Sequence, residues 1–411
     1  MFTYNIHSKF CKFIKKFTGF LLVYFILFTS FTCAQSTSKY ADVEAPLLSE
    51  QSRISLLTCS SGDMLYSVFG HSALRVTDDS LHIDIVFNYG TFDFDTPYFT
   101  LKFMNGDLDY MLASTTFERF MKSYRYENRD VYEGLLNLTQ AQKQLVWNYL
   151  IWNIQPANRA YRYDFFFDNC ATRIRDIIFN FKNIEYQADN SQQTNLSYRD
   201  YIHSHLPENT WTAQGIDLLL GAKTDRNADA WARAYLPVYL DSLFVDCGFI
   251  AQQNLILKGN VVTYAQSANS GFTADRLGWL LIVLSVMFTI FDILKHRYTK
   301  WFDVLFFAVA ALMSLLLWYL WLFTKHEVCS ANANVLWASI LYFPIIVLIV
   351  KNRFASKLLA GSVALNMLFL IAFVMLSLLQ VQDTASLSVE VAFALMLRNG
   401  ALLYKSYYLK R

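Results

Sequence analysis

The stretch YDFFFDNCATRIRDIIF, residues 163–179, decides how this chain is read. An aromatic run from Tyr163 to Phe167 stops at Asp168 and Asn169. Cys170 follows, and Ile174, Ile177 and Ile178 then recur at helical spacing. The pattern predicts a strand handing over to a helix, with a cysteine at the helix start. Taken alone, such a cysteine is most simply a small buried hydrophobe. At a helix N-terminus, however, free N–H groups and the helix dipole favour a thiolate. The rest of the chain must supply or withhold a base.

A base is available. VFGHSALRV (68–76) reads as a strand, and LHIDIVFNYG (81–90) reads as its hairpin partner across the turn TDDS. Gly70 permits a tight approach, and His71 then points off the strand end. On the second strand His82, Asp84, Val86 and Asn88 share one face, while Ile83, Ile85 and Phe87 face the core. Cys170, His71 and a polar orienter, Asp84 or His82, form a set suited to thiol catalysis. Asp84 is preferred as the third member. Asn169, beside the cysteine, is a candidate substrate contact. Around this set, ISLLTCS (54–60) and RDVYEGLLNL (129–138) read as strands. TQAQKQLVWNYLIWNI (139–154) reads as a helix capped by Thr139 and Gln142, and 190–265 as helical and irregular.

The chain has 411 residues, enough for two domains, with 55% hydrophobic and 17% aromatic residues. Its mean hydropathy of +0.25 implies a membrane-embedded part. A net charge of +2, with no basic cluster carrying interleaved aromatics outside the two termini and the short loops between the apolar runs, points away from nucleic acid. There is no CxxC, zinc spacing, HExxH, GxSxG elbow or Gly-rich phosphate loop, so no metal or cofactor is predicted. His203 and His205 read as a surface pair in a polar loop. Of the six cysteines, 59, 170, 247 and 329 follow the N-terminal signal, and a pairing such as Cys59–Cys247 stays open.

Four lysines precede the apolar run GFLLVYFILFTSF (19–31), so residues 1–34 read as a signal peptide or a retained anchor. Residues 35–270 mix polar and apolar positions. Beyond them come five apolar runs, at about 277–294, 302–323, 335–350, 358–379 and 386–404, each near the length that crosses a bilayer. Together they make a transmembrane domain over 276–404, followed by a cytoplasmic tail at 405–411. Nine Lys or Arg residues flank one side of these runs, and Lys325 alone flanks the other. That asymmetry places 35–270 and the loop 324–334 outside the cytoplasm. The loop carries His326, Asn332 and Asn334, candidate contacts for a lipid headgroup or an acceptor amine.

The order His71 then Cys170 resembles the permuted papain-like fold of lecithin:retinol acyltransferase and its relatives. The carrying motifs are GHSALRV, HID and DNC. A wider resemblance rests on LLTCSSGDMLYSVFGHSALRV, DIVFNYGTFDF, KFMNGDLDYML, YRYDFFFDNCATRIRD, GIDLLLGAKTD and TKHEVCSANANVLW. These are similar to the Lnb N-terminal periplasmic domain and its accompanying membrane portion. The resemblance implies an α+β periplasmic domain followed by a helical transmembrane bundle in a bacterial inner membrane. It also implies a lipoprotein N-acyltransferase. A phospholipid would give an acyl chain to Cys170, with His71 as base, and a diacylglyceryl-cysteine lipoprotein would accept it. Two alternatives are a membrane-anchored cysteine hydrolase and a non-catalytic envelope assembly or sensor protein.

Overall fold

The computed structural model describes residues 44–187, 194–207, 210–260 and 271–408. The signal or anchor at 1–34 and the linker up to Ser270 lie outside the described residues.

The N-terminal domain is α+β and is built on one seven-stranded sheet, antiparallel throughout. Its strands are β1 (Arg53–Cys59), β2 (His71–Asp78), β3 (Ile83–Thr91), β4 (Asp109–Thr116), β5 (Val131–Leu136), β6 (Ala160–Arg162) and β7 (Ile250–Leu257). Their spatial order is β6-β4-β3-β2-β1-β5-β7. The helices are α1 (Phe99–Asn105), α2 (Phe117–Tyr126), α3 (Gln140–Asn153) and α4 (Cys170–Lys182). Tyr198–His203, Trp211–Leu219, Ala230–Arg233 and Pro237–Asp246 follow as α5 to α8.

Both faces of the central strands are covered, which is why β1 reads as a nearly unbroken apolar run. Ile54, Leu56, Leu74 and Phe87 pack on Trp147 and Leu150 of α3 and on Ile174 and Ile178 of α4. Leu57, Cys59, Ala73 and Val86 turn the other way, onto Phe120 and Met121 of α2. α3 starts with the expected capping box of Thr139 and Gln142.

The aromatic run before Cys170 is not a strand. β6 ends at Arg162, and Asp164 and Asp168 exchange backbone hydrogen bonds of 3.1 and 3.0 Å across a tight turn. The Asp164 carboxylate accepts from the N–H groups of Phe166 and Phe167, the side-chain bond that lets Asp build turns. Residues 250–257, expected to be irregular, form the edge strand β7 beside β5. Cys59, Cys170, Cys247 and Cys329 are all free thiols.

The C-terminal part is a helical bundle: α9 (Ala274–Leu294), α10 (Lys300–Phe323), α11 (Asn334–Trp337), α12 (Tyr342–Val350), α13 (Lys357–Leu378) and α14 (Ser386–Tyr408). Four of these, α9, α10, α13 and α14, are long and apolar enough to cross a membrane. The expected third span is broken into α11 and α12. Pro344 sits in the first turn of α12, where a missing N–H does no harm and a continuing helix from upstream is disfavoured. α14 runs through Lys405, so the helix continues into the expected tail.

The basic loops meet at one end of the bundle. Lys300 reaches Asn352, Tyr298 packs on Phe354, and Lys405 Nζ donates to His296 O at 3.2 Å. The N-terminal domain docks at the opposite end. Val68, Phe166, Tyr198 and Tyr235 share one apolar cluster with Leu320, Val328 and Cys329 of the bundle.

Arg398, which interrupts the last apolar run, is fully buried. Its guanidinium holds Asp303 at 2.6 Å and Asp292 at 2.7 Å, tying α14 to α10 and α9. Arg398→Ala leaves both carboxylates unpaired inside the bundle, and breaking a buried pair this way costs about 3–5 kcal/mol. A markedly lower thermal midpoint of the detergent-solubilised chain is the expected result.

Candidate active site

Cys170 is the first residue of α4, and Asn169 is its N-cap. Asn169 is 3% exposed, and its side chain is fully used. Its Oδ1 accepts from the N–H groups of Ala171 and Thr172, both at 2.9 Å. Its Nδ2 donates to Phe165 O at 2.7 Å and Tyr235 O at 2.8 Å. No lone pair or hydrogen remains for a substrate. Asn169 is therefore a clamp that sets the pitch of α4 and the direction of Cys170. Asn169→Ala removes the cap and strands the carbonyls of Phe165 and Tyr235, at about 1–3 kcal/mol. Both a lower unfolding temperature and slower alkylation of Cys170 by iodoacetamide are expected.

The Cys170 thiol is half-buried. Burial raises it above its ordinary value, while the backbone amides of Ser72, Ala171 and Cys170 itself work in the opposite direction. Desolvation wins, so the resting group is a neutral thiol and not the thiolate that the helix start alone suggests. The Cys170 N–H has no oxygen acceptor among the described residues. Cys59 is buried more deeply, and burial pushes it up to about 12, the state of an inert structural thiol.

His71 opens β2, one residue before the Ser72 amide that meets the Cys170 sulfur. Gly70 makes that start feasible. Its φ is +80°, and a Cβ there would lie 2.7 Å from Cys59 O. His71 Nε2 bonds Asn88 Oδ1 at 3.2 Å, leaving Nδ1 as the ring nitrogen without a hydrogen bond among the described residues. Burial lowers His71 to about 4; the Asn88 bond opposes that shift, and the charge of Arg129 adds to it. The imidazole is neutral at physiological pH and able to accept a proton. No hydrogen bond joins His71 to Cys170 among the described residues; it is the next residue, Ser72, whose backbone N–H meets the Cys170 sulfur.

The side chain that bonds His71 is that of Asn88; neither Asp84 nor His82 bonds it among the described residues. Asp84 is exposed and held by Arg75 at 2.8 Å, and Arg75 also bonds Glu133 at 3.1 Å. His82 lies before β3 in a left-handed conformation, φ 54°, so it never joins the strand face. His203 is not a solvated partner of His205 either; its Nε2 meets Asp217 at 3.0 Å.

The loop 324–334 clips the two domains together. Asn334 is fully buried. Its amide donates to the carbonyls of Asp217 and Leu218, and its Oδ1 accepts from Trp337 Nε1 at 2.8 Å. Asn332 donates to Leu218 O and Leu219 O. Asn334 therefore fastens α6 to the bundle. His326 is half-buried, with Nε2 3.3 Å from Phe103 O on α1.

Two family models match the chain on either side of its linker. Residues 40–204 match the Lnb N-terminal periplasmic domain, and residues 266–410 match the Lnb transmembrane domain. The chain belongs to the Lnb family. Both His71 and Cys170 fall within the first match, and the loop 324–334 falls within the second. The chain is thus a membrane protein with a periplasmic N-terminal domain. Neither curated proteins nor solved structures gave a significant match.

Proposed function

We propose that the protein is a lipoprotein N-acyltransferase that carries the acyl chain on Cys170. The observation that carries this reading is the match of both halves to Lnb models, with Cys170 and His71 inside the first. Neutral His71 takes the thiol proton as the Cys170 sulfur attacks an ester carbonyl of a phospholipid. A C–S bond forms, and the Cys170 N–H, which has no oxygen acceptor among the described residues, meets the developing oxyanion. The ester C–O bond then breaks, and His71 returns the proton to the departing lysophospholipid oxygen. The α-amine of a diacylglyceryl-cysteine lipoprotein next attacks the thioester. A C–N bond forms, the C–S bond breaks, and the amine's proton passes through His71 to the sulfur. One ester is exchanged for one amide, with no change in oxidation state. Asn88 fixes the imidazole throughout.

A neutral thiol paired with a neutral base has a pH signature. Acylation of Cys170 should stay level through the neutral range and fall only in acid, as His71 protonates near 4. A rate that climbs steeply between neutrality and alkaline pH would instead report attack by a free thiolate.

The direct test of the activity is mass spectrometry of lipoprotein N-termini from cells with and without the gene. Triacylated termini present only with the gene support the proposal. Unchanged termini, with free fatty acid released by the purified protein, would favour a hydrolase.

A further inference from the structure

We infer that the exposed aromatic ledge of residues 92–104 lies in the outer leaflet of the bilayer and guides a phospholipid acyl chain to Cys170. The inference rests on the acyl-transfer reading above and names where its donor enters.

The first observation is exposure. Phe94 is 73% exposed, Tyr98 80%, Leu101 52% and Phe103 55%, all within ten residues on and before α1. Apolar side chains gathered like this on a water-facing surface mark a binding surface. A short helix of such composition, with Lys102 on it, suits the boundary between headgroups and acyl chains.

The second observation fixes what covers the ledge. α1 is fastened to the outer end of the membrane-spanning helix α10. The Lys325 N–H donates to Asn105 O at 2.9 Å, Lys325 Nζ meets Asp107 at 2.7 Å, and the Tyr319 hydroxyl reaches Asn105. That end of α10 carries Trp318, Trp321 and Phe323, residues that gather where spans leave the bilayer. The ledge therefore continues the surface of the bundle at headgroup height, and its occupant is lipid.

The third observation is a path inward. Phe103 stacks on Phe99 with ring centres 6.4 Å apart, and Phe99 lies 5.7 Å from Phe92. Phe92 lies 5.1 Å from Tyr110, which stacks on Tyr163 at 4.3 Å. Tyr163 and Cys170 both border Gly90. A Cβ added there would lie 4.0 Å from the Tyr163 ring and 3.9 Å from the Cys170 Cβ. An acyl chain following this row stays against apolar surface from the leaflet to the sulfur, and the gain from keeping it out of water is retained along the way.

The test uses the full-length protein in phosphatidylethanolamine nanodiscs. In Leu101→Asp/Phe103→Asp, acyl-Cys170 should form several-fold more slowly, while iodoacetamide still labels Cys170 near the wild-type rate. In parallel, p-benzoylphenylalanine at position 101 should photo-crosslink to phospholipid. Acylation of the double variant at the wild-type rate overturns the inference. So does a crosslink at 101 that captures protein or nothing. If iodoacetamide labelling collapses with acylation, the variant has misfolded and the crosslink alone decides. If wild-type protein forms no acyl-Cys170, the acyl-transfer reading fails, and lipid crosslinking then stands as a separate result.

Discussion

Cys170→Ser is expected to abolish lipoprotein N-acylation, by at least about a thousand-fold, because a hydroxyl is far less acidic than a thiol and His71, lowered to about 4, is too weak a base to draw its proton. The substitution is nearly isosteric, so α4 and its Asn169 cap should stay in place. Membrane levels and unfolding temperature should match the wild type. Cys247→Ser is the matched control: that thiol is free and half-buried at the end of α8, distant in sequence from the site. It should acylate lipoproteins normally. The readout is the mass of lipoprotein N-terminal peptides from cells complemented with each variant. Full activity in Cys170→Ser would remove Cys170 from the chemistry.

His71→Ala has the second largest expected effect. A positioned general base contributes about 10²–10⁴-fold, and Cys170 is a poor nucleophile without one, because burial holds it as a thiol. The fold should survive, since His71 contributes one side-chain hydrogen bond, to Asn88. The variant should show loss of acyl-enzyme formation with little change in unfolding temperature. The neighbouring substitutions then separate two assignments of the third residue. Asn88→Ala should slow acylation clearly, because His71 loses the bond that fixes its ring. Asp84→Asn should leave acylation close to wild type and loosen only the surface pair with Arg75. The opposite ranking would return the role to Asp84.

The sequence made the α+β domain, the helical bundle and the periplasmic placement legible for physical reasons. Long apolar runs and one-sided basic loops are strong, additive signals. Gly-His at a strand start and Asn-Cys at a helix start are local signals, set by backbone geometry over a few residues. The third residue needed register, which is not local. The structure pairs Asp78 with Ile83, and continuing that ladder sets His71 level with Gly90 and diagonal to Asn88. Asp84 is opposite Thr77, six residues along β2 from His71, roughly 20 Å at strand spacing. A tight turn joining Asp78 to Ile83 was the available clue. The preference for a carboxylate over an amide hid it.

The commitments of Asn169 and Asn334 are hidden in the sequence for a related reason. Asparagine beside a nucleophile, or in an outer loop, has the same composition whether its amide is free or committed. Only the geometry shows the Asn169 amide spent on backbone carbonyls and a helix cap, and the Asn334 amide on backbone carbonyls and Trp337. The broken third span is similar. Hydropathy over 335–350 is continuous, while the break depends on Pro344 and on where α11 stops.

The central claim is that Cys170 carries an acyl chain between two lipids. Purified full-length protein in phospholipid bilayers, without lipoprotein, should accumulate one acyl chain per molecule. Peptide mass spectrometry should place it on the fragment containing Cys170. Neutral hydroxylamine should remove it, as expected of a thioester, and added diacylglyceryl-cysteine peptide should discharge it as an N-acyl product. An adduct on another residue, one that resists hydroxylamine, or no adduct at all would contradict the account.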